Sequence, residues 1–402
     1  MQKQRLKIIN AKILAPGKCI PNGTLLLTGS SITTLSEGHL DAEAEIVIDA
    51  EGKYVAPGFI DIHVHGGGGH DFMDGTKAAF LEVAKIHACH GTTSMTPTTL
   101  TSSREELENV LSIYEHANKE NKEGAQFLGM HLEGPYIAKT QLGAQDPRHV
   151  RDPDQSEYEG LIEKYPFITR WSIAPELKGA LTMGEFLGRK GILPSIAHTD
   201  AVYEEVEKAF EKGFTHITHL YSAMSSVSRR NGYKYAGVIE AAFLMDGMTV
   251  EIIADGLHLP PPLLRLVYKI KGPDKIALIT DAMRAAGMPP GESILGSLHH
   301  GVRVIVEDEV AKLPDRSFFA GSVATADRLL RNMVQLANVP LPEAARMLST
   351  VPATIMGVTS KKGTIEPGKD ADIVMLDEDL RVRMTVIMGN PVYRAPINQV
   401  FD

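Results

Sequence analysis

Pro57-Gly58-Phe59-Ile60-Asp61-Ile62-His63-Val64-His65-Gly66 decides how the rest of the chain is read. An apolar run ends in two histidines one residue apart, and glycines continue to Gly69. The run reads as a buried strand. In a strand, residues i and i+2 face the same way, so both rings can reach one ion. The glycines let backbone pass close to a site or ligand. Working outward, the same punctuation recurs. Met130-His131-Leu132-Glu133-Gly134-Pro135, Ile196-Ala197-His198, Ile217-Thr218-His219 and Leu278-Ile279-Thr280-Asp281 are each a short apolar run with a polar group at or just past its end.

Strands are expected at 59–65, 92–98, 127–133, 169–174, 192–198, 214–219, 249–254 and 275–281. Helical patterns lie between them, for example at 101–118, 201–212 and 261–271, and two more helices are expected at 324–337 and 342–356. Eight alternations of this kind predict an α/β fold, a parallel sheet closed as a (β/α)8 TIM barrel. An open, doubly wound sheet would fit the alternation too. Polar groups ending the first, third, fifth, sixth and eighth strands converge only if the sheet closes. Before and after the barrel the texture is β: runs at 6–14, 24–28 and 46–49 punctuated by glycines, then 372–377 and 382–387. The expected organisation is a small β-sandwich domain built from both termini, 1–56 plus 357–402, with a metal-dependent barrel at 57–356 inserted between them.

The 402 residues carry 41 basic and 50 acidic side chains, a formal charge of -9. Nucleic acid, normally met by a basic face, is not an expected partner. A phosphorylated substrate would need a local cationic cluster, since net charge would not attract it. Cys19 and Cys89 show no paired-motif spacing and read as two reduced thiols. The N-terminal residues lack the apolar segment of a signal peptide, and no run approaches the ~20 apolar residues that span a bilayer. No membrane association is expected, and the expected compartment is the cytoplasm.

Glu133, His198 and His219 form a two-histidine, one-carboxylate set, an arrangement suited to a catalytic zinc with an open position for water. A structural ion pair is the alternative for Glu133, and a helix cap for Asp281. A metal lowers the pKa of bound water from 15.7 to about 7, and a carboxylate such as Asp281 beside that water can take its proton and return it to a leaving amine. This pattern points to metal-assisted hydrolysis. His131 shares a face with Glu133 and is either a support for the site or a packed core histidine. His216 should face away and reads as structural. Arg229, Arg230 and Lys234 are either a phosphate-binding cluster or a solvated loop. Phe319-Ala320-Gly321-Ser322 could offer backbone donors, and Asp255-Gly256-Leu257-His258 adds another rim histidine.

Together with Thr218-His219-Leu220-Tyr221-Ser222-Ala223-Met224, Thr280-Asp281-Ala282 and Gly363-Thr364-Ile365-Glu366-Pro367-Gly368-Lys369-Asp370-Ala371-Asp372, these stretches resemble the amidohydrolase superfamily. Within it they resemble the branch that deacetylates N-acetylglucosamine 6-phosphate. The His-Leu-Glu-Gly-Pro stretch is the specific piece, because most relatives place a modified lysine where Glu133 stands. The resemblance implies a phosphorylated amino-sugar substrate. It implies one or two divalent ions per subunit, zinc before iron or manganese, with Glu133, His198 and His219 holding the main ion and His63 and His65 permitting a second. Asp281 would be the general acid/base. Arg230 and His258 would bind phosphate or sugar hydroxyls, and Ala144, Ser222, Ala223, Phe319, Ala320 and Gly321 would line the substrate site. It also implies a homodimer in which Arg230 reaches the neighbouring site. Ser222 stands where relatives often have Asn, and Gln145 where some have His, so the amino sugar could differ. The alternatives are another N-acetyl sugar phosphate such as the galactosamine epimer, a cyclic amide, or a non-catalytic sugar-phosphate binder.

Overall fold

A computed structural model describes residues 4–396, with Arg230 described by its backbone alone. Residues 1–3 and 397–402, the outer ends of the segments expected to form the small domain, lie outside the described residues.

The strands Phe59–Val64, Thr92–Pro97, Met130–Glu133, Ile168–Ile173, Leu193–Ile196, His216–Ile217, Thr249–Ile252 and Ile276–Leu278 follow one another round a parallel sheet. Two junctions close it. Thr99 N–H donates to His131 O at 3.0 Å between the second and third strands, and Asp281 N–H donates to His63 O at 3.0 Å between the last and the first. The first, second and third strands are buried at every position, as expected where helices cover one side and a filled barrel the other. The outer layer is the helices Lys77–Cys89, Arg104–Glu120, Gln155–Lys164, Ala180–Arg189, Tyr203–Glu211, Val238–Leu244, Pro261–Lys271 and Ala326–Gln335, one after each strand. Their apolar faces form the main core with Phe80, Leu111, Trp171, Phe214 and Leu330.

Local chemistry sets the helix limits. The helix expected at 101–118 begins at Arg104 because the Ser103 side chain accepts from Glu106 N–H, and Glu106 answers at the Ser103 N–H. Such a cap is worth about 1 kcal/mol. The helix expected at 342–356 is two, Leu341–Leu348 and Thr350–Ile355. Pro352 has no N–H to give to Leu348 and its ring crowds that carbonyl, so the chain breaks at Ser349, with φ −133°.

Strands from both ends of the chain share one further sheet, in the order Asn390–Arg394, Val382–Ile387, Ile373–Leu376, Tyr54–Pro57, Arg5–Ala15, Lys18–Thr28, Ser31–Glu37, with Ile46–Asp49 beside Arg5–Ala15. Leu6, Ile8, Ile13, Leu25, Leu27, Val55 and Ile373 give it a core of its own. Tyr54–Pro57 pairs with Ile373–Leu376 and leads straight into the first barrel strand, so this sheet fixes where the strand carrying His63 begins.

A three-stranded antiparallel sheet, Gly291–Leu295, Val302–Glu307 and Val310–Lys312, lies between the last barrel strand and its helix, where no strands were expected. The alternation Val302-Arg303-Val304-Ile305-Val306 carries its signal: Val304 and Val306 are buried, and Arg303 is exposed.

Candidate active site

The barrel interior is polar. Where such barrels usually hold branched apolar layers, this one buries Asp61, His131, Arg170, Ser172, Thr218 and Glu251. Above them, at the C-terminal ends of the strands, side chains from distant segments converge. Glu133 Oε1 lies 2.9 Å from His219 Nε2, 3.3 Å from His198 Nε2 and 3.5 Å from His63 Nε2, and Oε2 lies 3.4 Å from His65 Nε2. Asp281 Oδ1 stands 3.1 Å from His65 Nε2 and 3.5 Å from His63 Nε2. His63, His65 and Glu133 make one possible metal-holding group and Glu133, His198 and His219 another, with the atoms of each within 4.8 Å of one another. His198, His219 and Asp281 adopt positive φ of 45°, 29° and 48°. Non-glycine residues seldom do so, and such strain concentrates at functional sites. Here it turns each side chain from the strand end into the barrel mouth.

These residues fit a divalent ion. His63 Nδ1 faces the Glu251 carboxylate at 3.2 Å, and His198 Nδ1 faces the Gln141 carbonyl at 2.7 Å. Each Nδ1 must carry a hydrogen to satisfy its acceptor, so in the neutral form of either ring it is the Nε2 lone pair that faces the Glu133 oxygens. Lone pairs facing a carboxylate repel unless a cation sits among them. Separations of 2.9–3.5 Å bracket the ~3.3 Å edge of a tetrahedron with ligands at 2.0–2.1 Å. The same demand for positive charge appears in the titration. Burial works against a charged His63, yet Glu133 and Asp281 push its pKa up to about 9. Burial alone would raise the Glu133 carboxyl, and the surrounding imidazoles hold it well below its usual range.

A cavity of about 620 Å³ opens on this cluster, within the range of small-ligand sites. His65, Glu133, His198, His219 and Asp281 form its floor, and Ala144, Ser222, Ala223, His258, Phe319 and Gly321 line its walls. His63 lies behind His65, fully buried. His258 is held upright by Asp255 Oδ2 at 2.7 Å and meets the Phe319 ring edge-on at 4.8 Å. Ala320 stands apart from the lining: it is fully buried against the small three-stranded sheet, and its N–H donates to Ala311 O. Arg230 lies on an antiparallel hairpin, Ser228–Arg230 with Tyr233–Tyr235, and its side chain is outside the described part of the structure. His131 packs behind His63 at 4.8 Å, held by Thr98 and Ser172; His216, expected to face away, instead turns into the barrel beneath the site, with Nδ1 at Thr249 and Nε2 3.2 Å from Glu251 Oε1. Gln145, expected beside sugar or phosphate, lines the cavity but gives its amide N–H to Glu133 Oε2 at 2.7 Å, while its oxygen accepts from Thr101 N–H.

Sequence reasoning missed Lys139, Thr140 and Gln141, which also line the cavity. Thr140 and Gln141 are both clamped to Asp200, two residues beyond His198. Their position just after Glu133-Gly134-Pro135 was the available signal, because the loops following barrel strands form the mouth. It missed Glu251 too, which lies inside a strand with nothing in its neighbours to mark it.

The glycine after His65 is required by close approach. A Cβ on Gly66 would lie 2.4 Å from His70 O and 2.8 Å from Arg284 N, both backbone atoms that a side-chain rotation cannot move. Gly66→Ala should therefore lower stability by about 1–3 kcal/mol, the range of overpacking. A urea midpoint equal to that of the unmodified protein would contradict this.

The family model described as the amidohydrolase family matches residues 54–392. An N-acetylglucosamine-6-phosphate deacetylase of Lysinibacillus sphaericus is 34% identical over 356 residues, covering 87% of this chain and 88% of that protein. An N-acetylgalactosamine-6-phosphate deacetylase of Escherichia coli O157:H7 is 33% identical over 344 residues, covering 85% and 89%. Among solved structures, an Asp-to-Ala variant of N-acetyl-D-glucosamine-6-phosphate deacetylase from Mycobacterium smegmatis, in complex with N-acetyl-D-glucosamine-6-phosphate, superposes with a TM-score of 0.88 at 30% identity, covering 97% of this chain and 99% of that one.

Proposed function

The chain belongs to the amidohydrolase family, and from that premise we propose that it hydrolyses the acetamide of N-acetylglucosamine 6-phosphate to acetate and glucosamine 6-phosphate. The observation that carries the reading is the Glu133 carboxylate ringed by imidazoles on the floor of a cavity into which Asp281 also projects. Relatives named for this reaction align over most of the chain.

Glu133, His198 and His219 would hold the main ion, and His63 with His65 a second. Nitrogen and carboxylate donors suit zinc ahead of iron or manganese. A bound divalent ion supplies Lewis acidity toward the amide carbonyl and acidifies water. The protein's own groups do the rest. Asp281, held ionised by His63 and His65 against the effect of burial, takes a proton from the attacking water. The tetrahedral carbon then collapses as Asp281 returns that proton to the amine nitrogen, and the C–N bond breaks. His258, fixed by Asp255, lies on the wall where sugar hydroxyls would sit. Lys139, a cationic residue on the same wall, would meet the phosphate together with Arg230 of a neighbouring subunit in a homodimer. Two free cysteines agree with the cytoplasm as the compartment.

Acetate release measured on N-acetylglucosamine 6-phosphate, its galactosamine epimer and the unphosphorylated sugars tests the reading. The galactosamine epimer is a real competitor, given the Escherichia coli relative and the presence of Ser222 on the wall. No acetate from any of the sugars would end the proposal. Arg230→Ala should reduce the preference for phosphorylated over unphosphorylated sugar by about 10–100-fold, the value of one charge-assisted hydrogen bond. An unchanged ratio would remove Arg230 from the phosphate site.

A further inference from the structure

Glu251 is fully buried in the seventh strand, inside the barrel and below the cavity, which it does not line. A carboxylate there is tolerated only if it is paired and hydrogen-bonded. Oε1 is paired with Arg170 and lies 3.2 Å from His216 Nε2; Arg170 is itself fully buried, and its other donors reach Ile62 O at 3.0 Å, Thr218 Oγ1 at 2.8 Å and Ser195 Oγ at 3.0 Å. Oε2 faces the site. It accepts from His63 Nδ1–H at 3.2 Å and from the backbone N–H of His219 at 3.2 Å. One oxygen therefore holds a residue from each of the two groups that converge on Glu133.

We infer that Glu251, anchored by Arg170, is the positioning residue that joins the two halves of the metal cluster, holding His63 as the tautomer whose Nε2 lone pair faces Glu133. The inference rests on the proposed metal site, and it assigns the two halves unequal dependence on Glu251. His63 is held through its side chain, so removing the acceptor frees both its tautomer and its ring orientation. His219 is held through its backbone, which the strand end also fixes. Groups behind a metal-bound histidine are typically worth 10–100-fold in metal affinity.

The test is titration of metal-free protein with Co²⁺, read by visible d–d absorption and by bound metal after dialysis, in the unmodified protein and in Glu251→Gln. The unmodified protein should bind two ions. Glu251→Gln should weaken the ion that contacts His63 and His65 by about 10–100-fold while the ion at Glu133, His198 and His219 stays within a few-fold of its original affinity. Removing the charge opposite Arg170 could unfold the barrel, and Glu251→Asp then decides. It keeps the charge but withdraws the oxygen from His63, and the same unequal weakening is expected. Equal affinities before and after substitution, equal weakening of both ions in a folded protein, or a single ion in the unmodified protein would each overturn the inference. The cobalt readout needs no substrate. Failure to release acetate would leave this inference standing, and a failed cobalt result would leave the deacetylation reading standing.

Discussion

Asp281→Asn should reduce acetate release by about 10³-fold or more while leaving the bound metal in place. General acid–base groups contribute typically 10²–10⁴-fold, and in the proposed mechanism one carboxylate performs both proton transfers. Asparagine keeps the size of the side chain but can neither take the proton from water nor deliver it to the amine. The geometry separates this effect from collapse of the site. Asp281 is fixed through its backbone: its N–H donates to His63 O and its carbonyl accepts from Ser322 N–H at 2.7 Å. These bonds survive the substitution, and with them the 48° φ that turns the side chain into the mouth. Elemental analysis beside the acetate assay is the check. Near-normal turnover would remove Asp281 from the mechanism, and loss of metal together with activity would make it a ligand.

Removal of the ion should be as severe. Dialysis against a chelator should bring turnover to background, and Zn²⁺ should restore it. Glu133→Gln should do the same irreversibly, since the histidines would then face a neutral amide in place of the negative charge that makes the ring of donors attractive to a cation. A stability signature should accompany both. An ion present at 1,000 times its Kd stabilises the folded state by about 4 kcal/mol through mass action, and the metal-free protein forgoes that contribution. His63, His65, His198 and His219 would then surround Glu133 with no ion to separate them. A urea midpoint unchanged by chelation, together with turnover in demonstrably metal-free protein, would contradict the whole reading of the cluster.

The barrel and its mouth were legible in the sequence for one reason. Polar residues at or just beyond the ends of short apolar runs carry information about place, because in a barrel of parallel strands the C-terminal strand ends and the loops that follow them form the mouth. His63, His65, Glu133, His198, His219 and Asp281 were all found from that signal, and all six converge. The cavity walls were found only in part. Ser222, Ala223 and His258 lie on loops directly after strands and line the cavity, as does Gly321, whereas Ala320 between Phe319 and Gly321 turns into the core. In an irregular loop, adjacent residues do not have a fixed period to say which of them faces the ligand.

What the sequence determined by itself was periodicity and punctuation: which segments are strands, which are helices, and which chemical groups stand at their ends. Tertiary structure alone decided which atoms meet. The amide of Gln145 lying on Glu133, the fully buried pair of Arg170 and Glu251 beneath the site, and the bond from His63 to Glu251 join residues 12, 81 and 188 positions apart. A local pattern reports the backbone period of its own segment. The partner that satisfies a buried charge comes from whichever strand the closed barrel brings opposite it.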